Sequence, residues 1–164
     1  MNFDSFFSDV IATVLGGIIL AVLFFWSREK LFSLSNITGQ WYFEVQTTKT
    51  VNNPYMGMKL RYVAILWQEG PHIKGTTEKI YEISSTGERE YIGEARTRGY
   101  VEGFLEKKYF SEDRLALHII EDGKNRESTN FHDVLIQSNK RMTGVFSSMI
   151  ADQEGDVIWQ RNRF

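Results

Sequence analysis

The side chains best suited to chemistry in this sequence are arginines, threonines and rings rather than nucleophiles. Arg96-Thr97-Arg98-Gly99-Tyr100 sets two guanidiniums and a phenol ring around one turn, and Arg61 adjoins Tyr62. A guanidinium matches a phosphate bidentately, and aromatic rings stack on planar bases. Thr47 and Thr77 add hydroxyls at positions whose alternation points them inward. Thr47, Arg61, Tyr62, Thr77, Arg96, Arg98 and Tyr100 therefore form a candidate contact set for an anionic, aromatic ligand. Each residue also has a plainer reading. Arg61, between Lys59 and Val63 at same-face spacing, suits a solvated face, and Arg96 and Arg98 suit cross-strand pairs with Glu94 or Glu102.

Covalent and metal chemistry find no footing. The chain has no cysteine, which removes thiol catalysis, disulfides and Cys-zinc sites. It has no G-x-S-x-G elbow, no G-x-x-x-x-G-K-[ST] loop and no G-x-G-x-x-G entering a helix. His72, His118 and His132 are far apart and without acids at ligand spacing, so no metal and no cofactor is expected. The acidic stretches Glu88–Glu94 and Glu121–Glu127 read as solvated turns, and the chain reads as a non-enzyme. A net charge of −2 argues against a nucleic-acid polymer as partner.

The elements that must carry the contact set are strands. From Ile37 onward, runs rich in Val, Ile, Tyr, Phe, Trp and Thr are cut by turn signals. The runs are Thr38–Thr48, Met58–Gln68, His72–Ser84, Arg89–Thr97, Tyr100–Phe110, Arg114–Glu121, Glu127–Gln137, Arg141–Ile150 and Asp156–Arg163. Eight or nine short strands joined by tight turns predict an all-β soluble domain, a closed antiparallel up-and-down barrel of about eight strands, because closure removes both sheet edges. Leu115, Leu117 and Ile119 alternate with Arg114, Ala116 and His118, as one buried face requires. Tyr62 to Trp67 is apolar on both faces, which points to a contact outside the barrel near Val63, Ile65 and Trp67.

The N-terminus is different. All 19 Lys and Arg lie at or beyond Arg28, and Val10–Trp26 carries no charge. With Phe3, Phe6 and Phe7 the apolar stretch approaches the roughly 20 residues of a transmembrane helix. An acidic start and the absence of a small-residue cleavage site favour an uncleaved anchor over a signal peptide. Arg28 and Lys30 follow the span and no base precedes it, so the positive-inside rule predicts an outside N-terminus and a cytoplasmic remainder. Ser8, Ala12 and Gly16 form one small-residue row, with Gly17 and Ala21 in the next, a surface on which helices can approach in lipid. The expected organisation is an anchor over 1–30, a linker over 31–37 and a barrel over 38–164.

Two resemblances add to this. Gly39-Gln40-Trp41, with Arg161 and Arg163 late in the chain, is similar to the G-x-W plus late-Arg pattern of the calycin barrels. There the Trp plugs one barrel end and the Arg stacks on it, which implies a calycin-like barrel with Trp41 and Arg161 as plug. The span Val10–Trp26 together with Gly39–Val45, Arg61–Gln68 and Met142–Met149 resembles the transmembrane β-barrel effectors of CBASS, the bacterial antiphage cyclic-oligonucleotide signalling systems. That resemblance implies a cyclic dinucleotide second messenger as ligand, a homo-oligomer on activation, and disruption of the bacterial inner membrane with cell death. The residues alone leave two other readings open: an anchored carrier of a lipid or other apolar molecule, and a ligand-free subunit of an envelope complex.

Overall fold

The computed structural model describes residues 3–31, 34–123 and 127–164. The chain divides into two units, Met1–Ser33 and Leu34–Phe164. The first holds α1, Phe3–Leu31, within which Phe6–Ser27 is long and apolar enough to cross a membrane by length and composition. Its 22 residues rise about 33 Å at about 1.5 Å each, against a hydrocarbon core of about 30 Å. Large apolar side chains from Phe6 to Trp26 are exposed on every side of the helix, a surface that water does not favour. The small residues Ser8, Ala12, Gly16, Gly17 and Ala21 all lie in this helix.

The second unit is a closed barrel. Its strands are β1 (Gly39–Lys49), β2 (Lys59–Glu69), β3 (His72–Ser84), β4 (Gly87–Glu90), β5 (Arg98–Glu106), β6 (Asp113–Asp122), β7 (Glu127–Ser138), β8 (Arg141–Ser148) and β9 (Gln153–Gln160). Neighbouring strands pair antiparallel except that β5 pairs with β3 rather than β4, and β1 closes the ring on β9. Eight strands form the wall, because β4 stands outside it. The first half of β3 pairs with β5, from His72↔Phe104 to Glu78↔Arg98, and its second half pairs with β4 from Tyr81↔Glu90 to Ser84↔Gly87.

The strand expected over Arg89–Thr97 is therefore corrected. Only Gly87–Glu90 pairs, and a 3₁₀ turn follows at Gly93–Ala95, where Gly93 takes a φ of 57° that ends any strand. The last strand also stops earlier than expected, at Gln160, leaving Arg161 just beyond it.

Alternation decides what is inside. Leu115, Leu117 and Ile119 are buried while Ala116 on the same strand is exposed. Tyr62, Ala64 and Leu66 of β2 point in, and Ile65 and Trp67 point out. The wall coils tightly where inward positions lack side chains. A Cβ built on Gly144 would run into the carbonyl of Asp133, and one on Gly155 into that of Gln46, so the strands could not approach as they do with any other residue.

One end of the barrel is plugged. Trp41 is fully buried and donates its indole N–H to the carbonyl of Ile37 at 2.7 Å. The Arg161 guanidinium lies 3.8 Å from the Trp41 ring centroid. It also donates to the carbonyls of Gln40 (2.9 Å), Thr38 (3.1 Å) and Asn139 (3.2 Å), so one side chain ties three backbone carbonyls to the plug.

Candidate functional site

The other end holds a cavity of about 580 Å³. Its inner wall is aromatic. Phe43 of β1 stacks on Tyr62 at 4.5 Å and on Trp159 at 4.2 Å, and the His132 ring meets it edge-on at 5.3 Å. Phe43, Tyr62, His132 and Phe146 face the cavity, with Trp159 behind them. The Trp159 indole donates to His132 Nδ1 at 3.3 Å, which fixes that nitrogen as an acceptor. Burial pushes the His132 pKa down to about 3, so the ring is neutral at physiological pH.

Above the rings lies a band of polar groups. The Tyr62 hydroxyl donates to Glu121 Oε2 at 3.0 Å, and burial, followed by the Glu121 charge, raises the Tyr62 pKa well above the usual range. Lys79 stands 3.6 Å from Glu121 Oε1 and 4.0 Å from Glu82, and its ammonium lies over the Tyr91 ring at 5.0 Å. The Tyr91 hydroxyl donates to Glu82 at 2.8 Å. A β-bulge in β3 creates this arrangement: Arg61 faces Tyr81 and the next residue, Tyr62, faces Lys79, so Ile80 is the extra residue. The bulge returns Glu82 to the cavity side of the chain along with Lys79. Thr47 donates to Gln153 Oε1 at 2.9 Å, and Gln153 donates on to the carbonyl of Ile150 at 3.0 Å. At the mouth, Tyr55, Ala95 and Ile150 come from three separate 3₁₀ turns, joined by Arg89 and Glu90 of the β3–β4 hairpin.

The structure does not bring the seven sequence-derived contact residues together. Tyr62 lines the cavity. Thr47 and Thr77 face inward and are buried, and the Thr77 hydroxyl has no hydrogen-bond partner. The other four point away. Arg61 donates to Glu44 at 2.6 Å and lies over Tyr81 and Phe164. Arg96 and Arg98 share Glu78, at 3.0 and 3.4 Å, rather than the Glu94 or Glu102 that local spacing suggests. Tyr100 is 70% exposed. On β2 and β5, Arg61, Arg98 and Tyr100 have outward parity, and Glu78 beside β5 supplies the charge the arginines need.

Sequence reasoning missed Lys79, Glu82, Arg89, Tyr91, Asn130 and Glu121, all of which line the cavity. Glu121 is the clearest correction. In sequence the Glu121–Glu127 stretch reads as a solvated turn, yet Glu121 is buried. The signal was present: Glu121 continues the inward series Leu117, Ile119. Among the described residues no group of three His, Asp or Glu is arranged to hold a metal ion.

A second concavity of about 1020 Å³ crosses the outside of the wall, lined by Phe104, Ala116, His118, Phe131 and Val145 among others. His118 and Phe131 stack there at 4.7 Å, and Arg114 is paired to Asp133. The inner cavity is the better candidate because it gathers buried titratable groups around a space within the barrel wall.

No protein-family profile and no curated protein matches the chain. Solved structures do match the barrel. A redesigned β-barrel superposes with a TM-score of 0.53 at 8% identity, covering 77% of this chain and 92% of its own. The redesigned barrel mFAP0, bound to DFHBI, gives 0.52 at 12% identity, covering 76% and 98%. A de novo designed fluorescence-activating β-barrel gives 0.50 at 15% identity, covering 76% and 93%. At such identities the likeness establishes the fold, a closed antiparallel barrel, and nothing further.

Proposed function

We propose that this chain is a membrane-anchored receptor whose barrel binds a cyclic dinucleotide, and that occupancy gathers the anchors and disrupts the bilayer, as an effector of bacterial antiphage defence. The observation that carries the reading is the cavity of about 580 Å³, aromatic within and polar above, in a chain that also holds an apolar helix of membrane-spanning length. Its volume lies within the roughly 300–1,000 Å³ of small-ligand sites. A barrel of similar fold, mFAP0, holds DFHBI. The polar band of Tyr62, Lys79, Glu82 and Glu121 favours a polar ligand over a lipid.

The mechanism rests on clustering. One span cannot enclose a pore, but several can, and the small-residue rows through Ala12 and Gly16 and through Gly17 and Ala21 supply close helix contact. The ligand must bind the clustered state more tightly than the separate one, otherwise it shifts nothing. Exposed Ile65 and Trp67 on the outer wall supply a surface for barrel–barrel contact. In this reading the N-terminus is outside the inner membrane and the barrel is cytoplasmic, because Arg28 and Lys30 follow the span.

The test uses the full chain in lipid nanodiscs and in dye-loaded vesicles. Calorimetric titration with cyclic di-GMP and cyclic di-AMP should show saturable binding of at least one, and the same ligand should release vesicle dye. No binding of either ends the proposal. Binding without release removes the effector role and leaves a receptor. An alkaline phosphatase fusion after residue 36 should be inactive, and activity would reverse the orientation.

A further inference from the structure

The two ends of the cavity differ in charge character, and that difference orients a ligand. In the band above the rings stands the buried Glu121 carboxylate, which lines the cavity together with Phe43, His132 and Phe146. A carboxylate offers about four lone-pair sites. The Tyr62 hydroxyl takes one on Oε2, and the Lys79 ammonium, at 3.6 Å, neutralises Oε1 without hydrogen-bonding it. Both oxygens therefore keep acceptor capacity, and Glu121 lines the cavity. Next to Glu121 the register runs Thr77↔Gly99↔Glu121 across three strands. Gly99 places no side chain between the two, and a Cβ there would stand 2.8 Å from the Thr77 hydroxyl. That hydroxyl is buried and unpartnered beside Glu121, outside the cavity lining.

A phosphate has no place beside Glu121, because Glu121 and Glu82 would both repel it and Lys79 is already held between them. The mouth is different. Arg89 is exposed, and among the described residues it has no carboxylate partner; its recorded contact is with the Tyr91 hydroxyl. The cavity is thus acceptor-rich within and cationic at one point of its rim.

We infer that the cavity orients its ligand, with guanine on Glu121 and phosphate at Arg89 on the rim. Glu121 is the specificity-determining residue and Arg89 the phosphate contact. A carboxylate with two free acceptors pairs with two adjacent N–H donors. Guanine presents that pair on one edge, from its ring N–H and its exocyclic amine. The pairing edges of adenine and uracil each interleave donor and acceptor, so one carboxylate oxygen would face an acceptor and be left unpaired, which is how buried polar groups reject a wrong ligand. The rings of Phe43 and Phe146 supply apolar and stacking contact for a planar base. This inference rests on the nucleotide-receptor reading for the phosphate half and on Glu121 alone for the base.

Calorimetry on the full chain in nanodiscs tests it with four probes: GMP, AMP, cyclic di-GMP and cyclic di-AMP. The guanine forms should bind about ten- to a hundredfold more tightly than the adenine forms, the discrimination of one good bidentate contact. Glu121→Gln keeps an acceptor for Tyr62 but replaces the other oxygen with a donor, and should erase most of that preference. Arg89→Ala should weaken both cyclic dinucleotides by the same factor and leave the preference intact. The wild-type comparison needs no variant, so a misfolded Glu121→Gln protein does not blunt the test. Equal affinity for cyclic di-GMP and cyclic di-AMP overturns the inference and leaves the receptor reading standing. Glu121-dependent binding of GMP with no binding of either cyclic dinucleotide does the reverse. No binding of any guanine probe overturns both.

Discussion

The two ends of the barrel are built on opposite principles. At the plugged end the polar atoms of the plug serve the packing: the Trp41 indole is bonded to Ile37, and Arg161 stacks on Trp41 while donating to three carbonyls. At the open end the half-buried Lys79 joins buried Glu121 and Tyr62 in one charged group, the Thr77 hydroxyl has no partner, and the His132 ring is held neutral by burial. A closed core tolerates no such loose ends at reasonable cost. The contrast teaches that this barrel concentrates its stability at one end and keeps the other polar and hollow.

The largest test of that contrast is Trp41→Ala. Removing a fully buried indole should cost about 3–5 kcal/mol, read by chemical unfolding of the full chain in detergent. A cost near 1 kcal/mol would mean the plug is not where stability resides. The second is acid. The folded pKa of His132, about 3, lies below the 6.5 of an unperturbed imidazole, so the unfolded chain takes up the proton first as pH falls. Stability should therefore fall from about pH 6.5 toward about pH 3, and His132→Gln should flatten that part of the curve relative to the parent. A parallel pair of curves would show that His132 is not buried neutral. Third, Arg161→Ala should cost about 2 kcal/mol through the lost ring contact and three freed carbonyls, and Arg161→Lys should recover only part of it. The smallest effect belongs to the open end. Tyr62→Phe leaves Glu121 with Lys79 beside it and should cost about 1 kcal/mol, the net worth of one hydrogen bond. If it cost as much as Trp41→Ala, the open end would be core and the contrast would fail.

The legible part of the fold was the part governed by period. Alternation in Arg114–Glu121 separated buried Leu115, Leu117 and Ile119 from the outer residues, and it placed Thr47 and Thr77 inside. What escaped was anything set by a partner far along the chain. Arg96 and Arg98 looked like ligand contacts because Glu78, 18 and 20 residues earlier, is brought beside them only by the β3–β5 pairing. The bulge at Ile80 could not be read either, since it depends on how β2 and β3 align. Without it, Lys79 and Glu82 share no face, and the polar band has no visible origin.

Taken by itself, the chain's order of residues settled two things: an apolar helix of spanning length ahead of a run of alternating strands, and closure of those strands on themselves. Both follow from local chemistry, since backbone in lipid must bond internally and unpaired strand edges are costly. Which end is sealed and which is hollow was decided only by the assembled barrel. Trp41 and Arg161 are 120 residues apart in sequence, as Tyr62 and Glu121 are 59 apart, and the energy of each pair exists only once the ring has closed around it.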